Sequence, residues 1–226
     1  MTGAASSDLQ MTGTARPGFN HNDAYHQYLL RHVPPGCDRA LDVGCGAGLL
    51  ARRLAKRVRS VDAIDRAPEM IAAARALASG ASNVCYIEAD LTGYDLGSGR
   101  YDFIACVASI HHMPFAETIT KLRDALAPAG VLGIVGCYRE ATPADYARDL
   151  VAIPANIGAN AVARAKARRS GGHRAAQASA APVVDPQMTL PEIRREARRL
   201  LPAAVIRRRL YWRYTLIYQR PANTIR

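Results

Sequence analysis

The stretch LDVGCGAGLLARRLA, Leu41 to Ala55, limits what this chain can fold into more than any other part of it. A short apolar run leads into three glycines spaced G-x-G-x-G, Gly44, Gly46 and Gly48, and these open directly into an amphipathic basic helix. Glycine adopts positive φ without steric cost and lets a bound group approach the backbone closely. Strand, glycine turn and helix in that order make a cradle for a nucleotide-like ligand.

The rest of the N-terminal two thirds repeats the rhythm. HNDAYHQYLLR, His21 to Arg31, predicts a helix that PPG at Pro34 to Gly36 ends. Strands are expected at Arg39 to Val43, Ser60 to Asp65, Asn83 to Asp90, Tyr101 to Ser109 and Val131 to Tyr138. Helices are expected from Leu49 to Arg57, from Pro68 through Ser79, and from Pro114 to Leu126, with PAG turning the chain before the fifth strand. The nearly continuous apolar run YDFIACVAS fits the middle of a parallel sheet. Asp62 alternates away from the inward set of the second strand and is expected to be a solvated acid.

Beyond Glu140 the rhythm changes. Residues 143–170 are alanine-rich with helical spacing, Ser170 to Pro182 read as flexible, and a helix is expected from Pro191 to Leu201. Two β-rich runs in AVIRRRLYWRYTLIYQRP, separated near Tyr211 to Arg213, predict an antiparallel pair. The fold class is therefore α/β: a doubly wound, mostly parallel seven-stranded sheet with a C-terminal antiparallel pair and a helical cap insertion. The expected division is a leader at 1–18 and a single domain at 19–226. Within the domain lie a lid helix at 19–33, a ligand-binding core at 38–140, a cap insertion at 141–200 and a closing hairpin at 203–221.

Composition narrows the function classes. The net charge of +11 is unevenly placed, because residues 1–140 carry 14 basic and 14 acidic side chains, whereas residues 141–226 carry 16 and 5. Such a basic surface is compatible with nucleic acid but does not imply it. Five cysteines, at 37, 45, 85, 106 and 137, stand singly without C-x-x-C spacing. They point to free buried thiols in a reducing cytoplasm, not to a disulfide scaffold or structural zinc. No apolar run reaches the length that spans a bilayer, and no acidic cluster points to a bound metal.

The acids that close the strands aim at the ligand. Asp65 lies 21 residues after Gly44, the separation at which a carboxylate at the end of the second strand accepts from a ribose diol. The dehydrogenase fingerprint G-x-G-x-x-G is absent, with Leu49 in place of its third glycine, and so is the G-K-[ST] ending of a P-loop.

On these residues the sequence resembles the class I S-adenosylmethionine-dependent methyltransferases. LDVGCGAG is similar to the first motif of that superfamily, AIDRAPEMI to its second, EADL to its third and YDFIACVASIHHM to its fourth, in order over about residues 38–140. The resemblance implies S-adenosyl-L-methionine as cofactor. Gly44, Gly46 and Gly48 would pass beneath its methionine part with Asp42 near the ammonium, Asp65 would hold the ribose hydroxyls, and Arg66 would lie beside the adenine. Asp90 would accept from the adenine amine, Leu91 would line the ring, and Ser109 would lie near the sulfonium. Asp42 alternatively holds the loop by accepting backbone N–H bonds, and Asp90 alternatively caps the next turn.

His111 and His112 follow the fourth strand, where the acceptor enters, and are the candidate catalytic bases; the alternative is a loop hydrogen bond and a solvent-facing wall. Tyr25, His26 and Tyr28 lie on the first helix, which in similar enzymes folds over the cofactor as a lid; His21 and Tyr25, four apart on one face, are the lid candidates, with ordinary packing as the alternative. The expected activity is methyl transfer to a small-molecule acceptor, at oxygen in the first instance, in the cytoplasm and without membrane. The absence of an Asn/Asp-Pro-Pro-aromatic sequence after strand 4 argues against nucleic-acid bases. The alternatives are an RNA or protein methyltransferase that uses the basic C-terminal surface, and a cofactor-binding homologue that does not methylate.

Overall fold

The computed structural model describes residues 21–78, 80, 83–139, 185–209 and 212–222. The expected leader, the side chain of His21 and the cap insertion up to residue 184 lie outside the described residues. Helix α1 spans His21–Leu30 and strand β1 Arg39–Val43, followed by α2 (Leu49–Leu54), β2 (Ser60–Asp65), α3 (Pro68–Ala76) and β3 (Val84–Glu88). Strand β4 (Tyr101–Val107) runs into a 3-10 turn (Ile110–His112), α4 (Phe115–Ala125) and β5 (Leu126–Cys137). The chain then supplies α5 (Leu190–Leu200), β6 (Val205–Arg208) and β7 (Arg213–Gln219).

The seven strands form one sheet in the order β3-β2-β1-β4-β5-β7-β6. β1 to β5 are parallel, whereas β7 runs antiparallel to both β5 and β6. Strand order reverses between β1 and β4, the place where an open α/β sheet leaves a crevice at its carboxyl ends.

The sheet is covered on both faces, and β4 shows why its sequence is almost continuously apolar. Ile104 and Cys106 pack into one buried cluster with Ile119 and Leu122 of α4 and Ile193 and Ala197 of α5. Phe103 and Ala105 point the other way, into a second cluster with Leu29 of α1, Leu54 of α2 and Ile71 of α3. Burial of each large side chain in these clusters stabilises the fold by about 1.5–3 kcal/mol. Two helix starts are set locally: Pro68 occupies the first turn of α3, and α5 opens on a capping box in which Thr189 and Glu192 satisfy each other's backbone.

The structure departs from four expectations. Strand β5 begins at Leu126, not at Val131, and the PAG sequence lies inside it. Leu126 pairs with Tyr101, the register shifts, and Val131 then pairs with Phe103, with Ala129 in the left-handed region at φ 63. Helix α2 stops at Leu54, because Arg57 N–H closes a tighter turn onto the Leu54 carbonyl. Asp62 is no solvated acid: it is 5% exposed, accepts from the Tyr101 hydroxyl at 2.8 Å and faces Arg100 at 3.3 Å and Arg39 at 3.4 Å. Both faces of β2 are covered, so its second face needs a paired charge where an exposed sheet would need none. The cysteines are unpaired, with Cys37, Cys45 and Cys106 buried, Cys137 intermediate and Cys85 exposed where burial was expected.

Tyr101→Phe leaves the buried Asp62 carboxylate without its closest donor. The expected cost is about 1.5–3 kcal/mol of stability in urea unfolding, as for a hydrogen bond to a charged group. An unchanged midpoint contradicts the assignment.

Candidate functional site

The carboxyl ends of β1, β2 and β4 open into a cavity of about 670 Å³, a volume usual for a small-molecule site. Its floor is the glycine loop, which is stitched to the end of β2. The Gly44 and Cys45 amides donate to the Ile64 carbonyl at 2.8 and 3.0 Å, and the Gly46 amide donates to Asp65 Oδ2 at 2.8 Å. The other Asp65 oxygen accepts from the Ala67 amide at 3.0 Å, where the chain enters α3. Each oxygen keeps a further lone pair for a hydroxyl donor.

The glycines divide their duties. A side chain at Gly44 would strike Ser109 and one at Gly48 would strike the Tyr86 ring, each also at positive φ. A side chain at Gly46 would meet nothing within 4 Å. Gly44 and Gly46 line the cavity, and Gly48 packs behind it against β3. Across the crevice, Ala108 at φ 51 turns the end of β4 so that Ser109 folds back and donates from Oγ to the Val43 carbonyl at 2.8 Å. A left-handed alanine costs about 1–2 kcal/mol, and the turn places Ser109 on the cavity wall.

Asp42 is the buried acid of the cavity. It is 2% exposed, it lines the cavity, and its Oδ2 makes no hydrogen bond. Burial raises its pKa from 3.8 to about 7; the Ala51 amide draws it back and the Asp65 charge adds to the rise. Asp90, exposed at the rim, has its pKa lowered by the Thr92 hydroxyl and amide, both of which donate to Oδ1, so it does cap the following turn. Arg66 and Leu91 line the same cavity.

The two histidines part company. His112 lines the cavity beside Ser109 and Met113, whereas His111 lines a second, smaller one. Their ring centroids lie 4.0 Å apart with the planes tilted by 39°, and the Nδ1 atom of each is buried without a hydrogen bond. Burial, the neighbouring His112 and Arg213 lower the pKa of His111 to about 4, and burial with Arg66 lowers that of His112. Both are neutral imidazoles at neutral pH.

Tyr25 packs against the α1-side cluster and does not line the cavity. The α1 residue on its wall is His26, 5% exposed, whose Nδ1 is 2.8 Å from Arg53 Nη1. Because an arginine only donates, Nδ1 is the accepting nitrogen; burial and then Arg53 lower the pKa to about 4. The i, i+4 spacing picked out His21 and Tyr25. His26 shares that lid helix, and its reach to Arg53 on α2, a tertiary contact, singles it out for the wall.

With this geometry in place, comparison with known proteins identifies the family. A family profile described as a methyltransferase domain matches residues 40–130. An uncharacterized methyltransferase of Mycobacterium tuberculosis is 31% identical over 205 residues, which are 90% of this chain and 98% of that protein. A ubiquinone biosynthesis O-methyltransferase of Xanthomonas axonopodis is 33% identical over 144 residues, 62% of this chain and 59% of the relative. Among solved structures, an S-adenosylmethionine-dependent methyltransferase from Mesorhizobium loti superposes with a TM-score of 0.59 at 17% identity, covering 87% of this chain and 98% of that one. The chain belongs to the class I S-adenosylmethionine-dependent methyltransferases. It is an enzyme of that class, and its cofactor is S-adenosylmethionine.

The cavity suits that cofactor. The unpaired, buried Asp42 oxygen calls for a cationic donor, which the ammonium of S-adenosylmethionine supplies. The Asp65 oxygens suit a diol, and Leu91 and Met70 offer apolar surface for a base.

An acid whose pKa is raised by folding holds its proton natively at pH values where the unfolded chain has lost it. Between about pH 4 and 7 the folded state therefore loses stability as pH rises, and a cationic ligand gains affinity as Asp42 ionises. Affinity for S-adenosylhomocysteine, which keeps the ammonium, is expected to climb from pH 5.5 to pH 7, by at most about tenfold per unit, and to flatten above. Asp42→Asn should lower the plateau and remove the slope; a flat wild-type titration by calorimetry contradicts the pairing.

Proposed function

We propose that this enzyme methylates a hydroxyl oxygen of a small-molecule acceptor. The observation that carries the proposal is the neutral imidazole of His112 on the cavity wall beside Ser109, with a buried Nδ1 that makes no hydrogen bond. An oxygen acceptor carries a proton that must leave as the new bond forms, and a neutral imidazole is the group that takes one. The likeness to ubiquinone biosynthesis O-methyltransferases supports oxygen over the length it covers.

Bound S-adenosylmethionine supplies an electrophilic methyl group on a good leaving group. The residues of the chain have the task of holding and orienting. Asp65 accepts from the ribose hydroxyls while its loop bond to Gly46 keeps it in place. Asp42 pairs with the ammonium, Asp90 and Arg66 flank the base, and Leu91 covers it. Ser109, fixed to Val43, narrows the wall where the acceptor must approach in line. Helix α1 acts as the lid through His26, and residues 185–200, the described end of the expected cap, wall the second cavity through Pro186, Gln187, Met188 and Ile193. Among the described residues, no arginine of α5 lines either cavity, which supports a small molecule over RNA or protein. Among the same residues, no helix is long and apolar enough to cross a membrane.

Asp65→Ala is expected to weaken S-adenosylhomocysteine by about 1–3 kcal/mol, read by calorimetry, because charge-assisted hydrogen bonds are lost. His112→Ala should leave that affinity within about twofold and lower turnover on a hydroxyl acceptor by about 10²–10⁴. Equal loss of binding and turnover in His112→Ala would mark a structural residue and remove the base from the proposal.

A further inference from the structure

Resting on that reading, we propose that the second cavity is the acceptor subsite and that it takes a neutral, planar hydroxy-aromatic ring whose hydroxyl meets His111 Nδ1.

This cavity, of about 250 Å³, lies at the edge of the α4/α5 cluster. A dry apolar cavity of about 150 Å³ is enough for benzene, so the space here suits one substituted ring and is too small for a nucleotide or a peptide segment. Its walls are flat and apolar: Phe115, Pro186, Met188, Ile193 and Tyr214 face it. Among the described residues lining it there is no Asp, Glu, Lys or Arg, so a carboxylate or ammonium on the ring would be buried unpaired. Arg213, the cation that acts on His111, is not among them.

Against this apolar wall stand Gln187, whose amide donates to the Asp185 carbonyl, and His111, with an unbonded, buried Nδ1. A buried polar nitrogen left without a partner costs about 1–3 kcal/mol, and a single hydroxyl removes that cost when its oxygen accepts from His111 Nδ1–H, which leaves the hydroxyl proton for His112. The two cavities also abut. Met113 lines both, and the adjacent His111 and His112 rings face one each from the same 3-10 turn. A ring lying in the small cavity thus has its hydroxyl at the boundary with the cofactor cavity.

The test is calorimetric titration of the full chain, saturated with S-adenosylhomocysteine, with 4-methylphenol, 4-hydroxybenzoate and tyramine, which share one ring and differ in charge. The neutral phenol is expected to bind at least about tenfold more tightly than either charged analogue. Met188→Trp, which fills the cavity, should abolish phenol binding and leave S-adenosylhomocysteine affinity unchanged. His111→Leu should weaken the phenol about tenfold, the equivalent of one hydrogen bond, whereas His111→Asn, which keeps a donor in the same place, should stay within about threefold. If Met188→Trp also loses S-adenosylhomocysteine, the fold has suffered, and the His111 pair decides in its place.

No phenol binding, equal binding of the charged analogues, or undiminished binding by Met188→Trp or His111→Leu overturns the subsite. The two proposals fail separately. A phenol bound here under all these criteria but never methylated defeats oxygen transfer and leaves the subsite standing. A phenol methylated at full rate by Met188→Trp defeats the subsite and leaves oxygen transfer standing.

Discussion

The site depends on the bond between the Gly46 amide and the Asp65 carboxylate. Together with the two amides on the Ile64 carbonyl, it ties the loop after β1 to the end of β2 and fixes the width of the crevice at the sheet's reversal point. Ser109 does the same from the other side by tying the end of β4 to Val43. These ties need a chain without side chains at Gly44 and Gly48, where Ser109 and Tyr86 already occupy the space. The carboxylate proposed to hold the ribose is therefore also the one that shapes the floor, so binding and loop order are coupled through one side chain.

Around that floor, the charges are set against solvent in a graded way. Asp42 is buried and pushed toward neutrality, Asp65 is half-buried and bonded through both oxygens, and Asp90 sits exposed with one oxygen committed to Thr92. Three acids at the ends of successive strands thus differ in what they can offer a ligand. The same holds for the histidines, since one 3-10 turn directs adjacent imidazoles to different cavities and burial keeps both neutral.

The alternation of strand and helix, the glycine turn and the strand-end acids were legible in the sequence because each rests on local pattern. A continuous apolar run such as β4 needs cover on both faces, and G-x-G-x-G after such a strand needs a turn. What stayed hidden depends on contacts distant in sequence. Asp62 reads as solvated by alternation alone, yet Tyr101 and Arg100, 39 and 38 residues away, make it a buried charge. His26, expected on the lid helix, gains its place on the cavity wall from Arg53 on the next helix, and Gly48 packs against Tyr86 on β3. The irregular start of β5 was equally invisible, since a PAG sequence reads as a turn until a neighbouring strand pairs around it. The division of His111 from His112 follows from the path of a three-residue turn that no sequence period encodes.

The most direct test of the account is parallel calorimetric titration of the purified protein with S-adenosylmethionine, S-adenosylhomocysteine and NAD. The account predicts saturable one-to-one binding of the two sulfur compounds and none of NAD. Binding of NAD alone would contradict it, because the glycine loop, Asp42 and Asp65 would then be serving a dinucleotide.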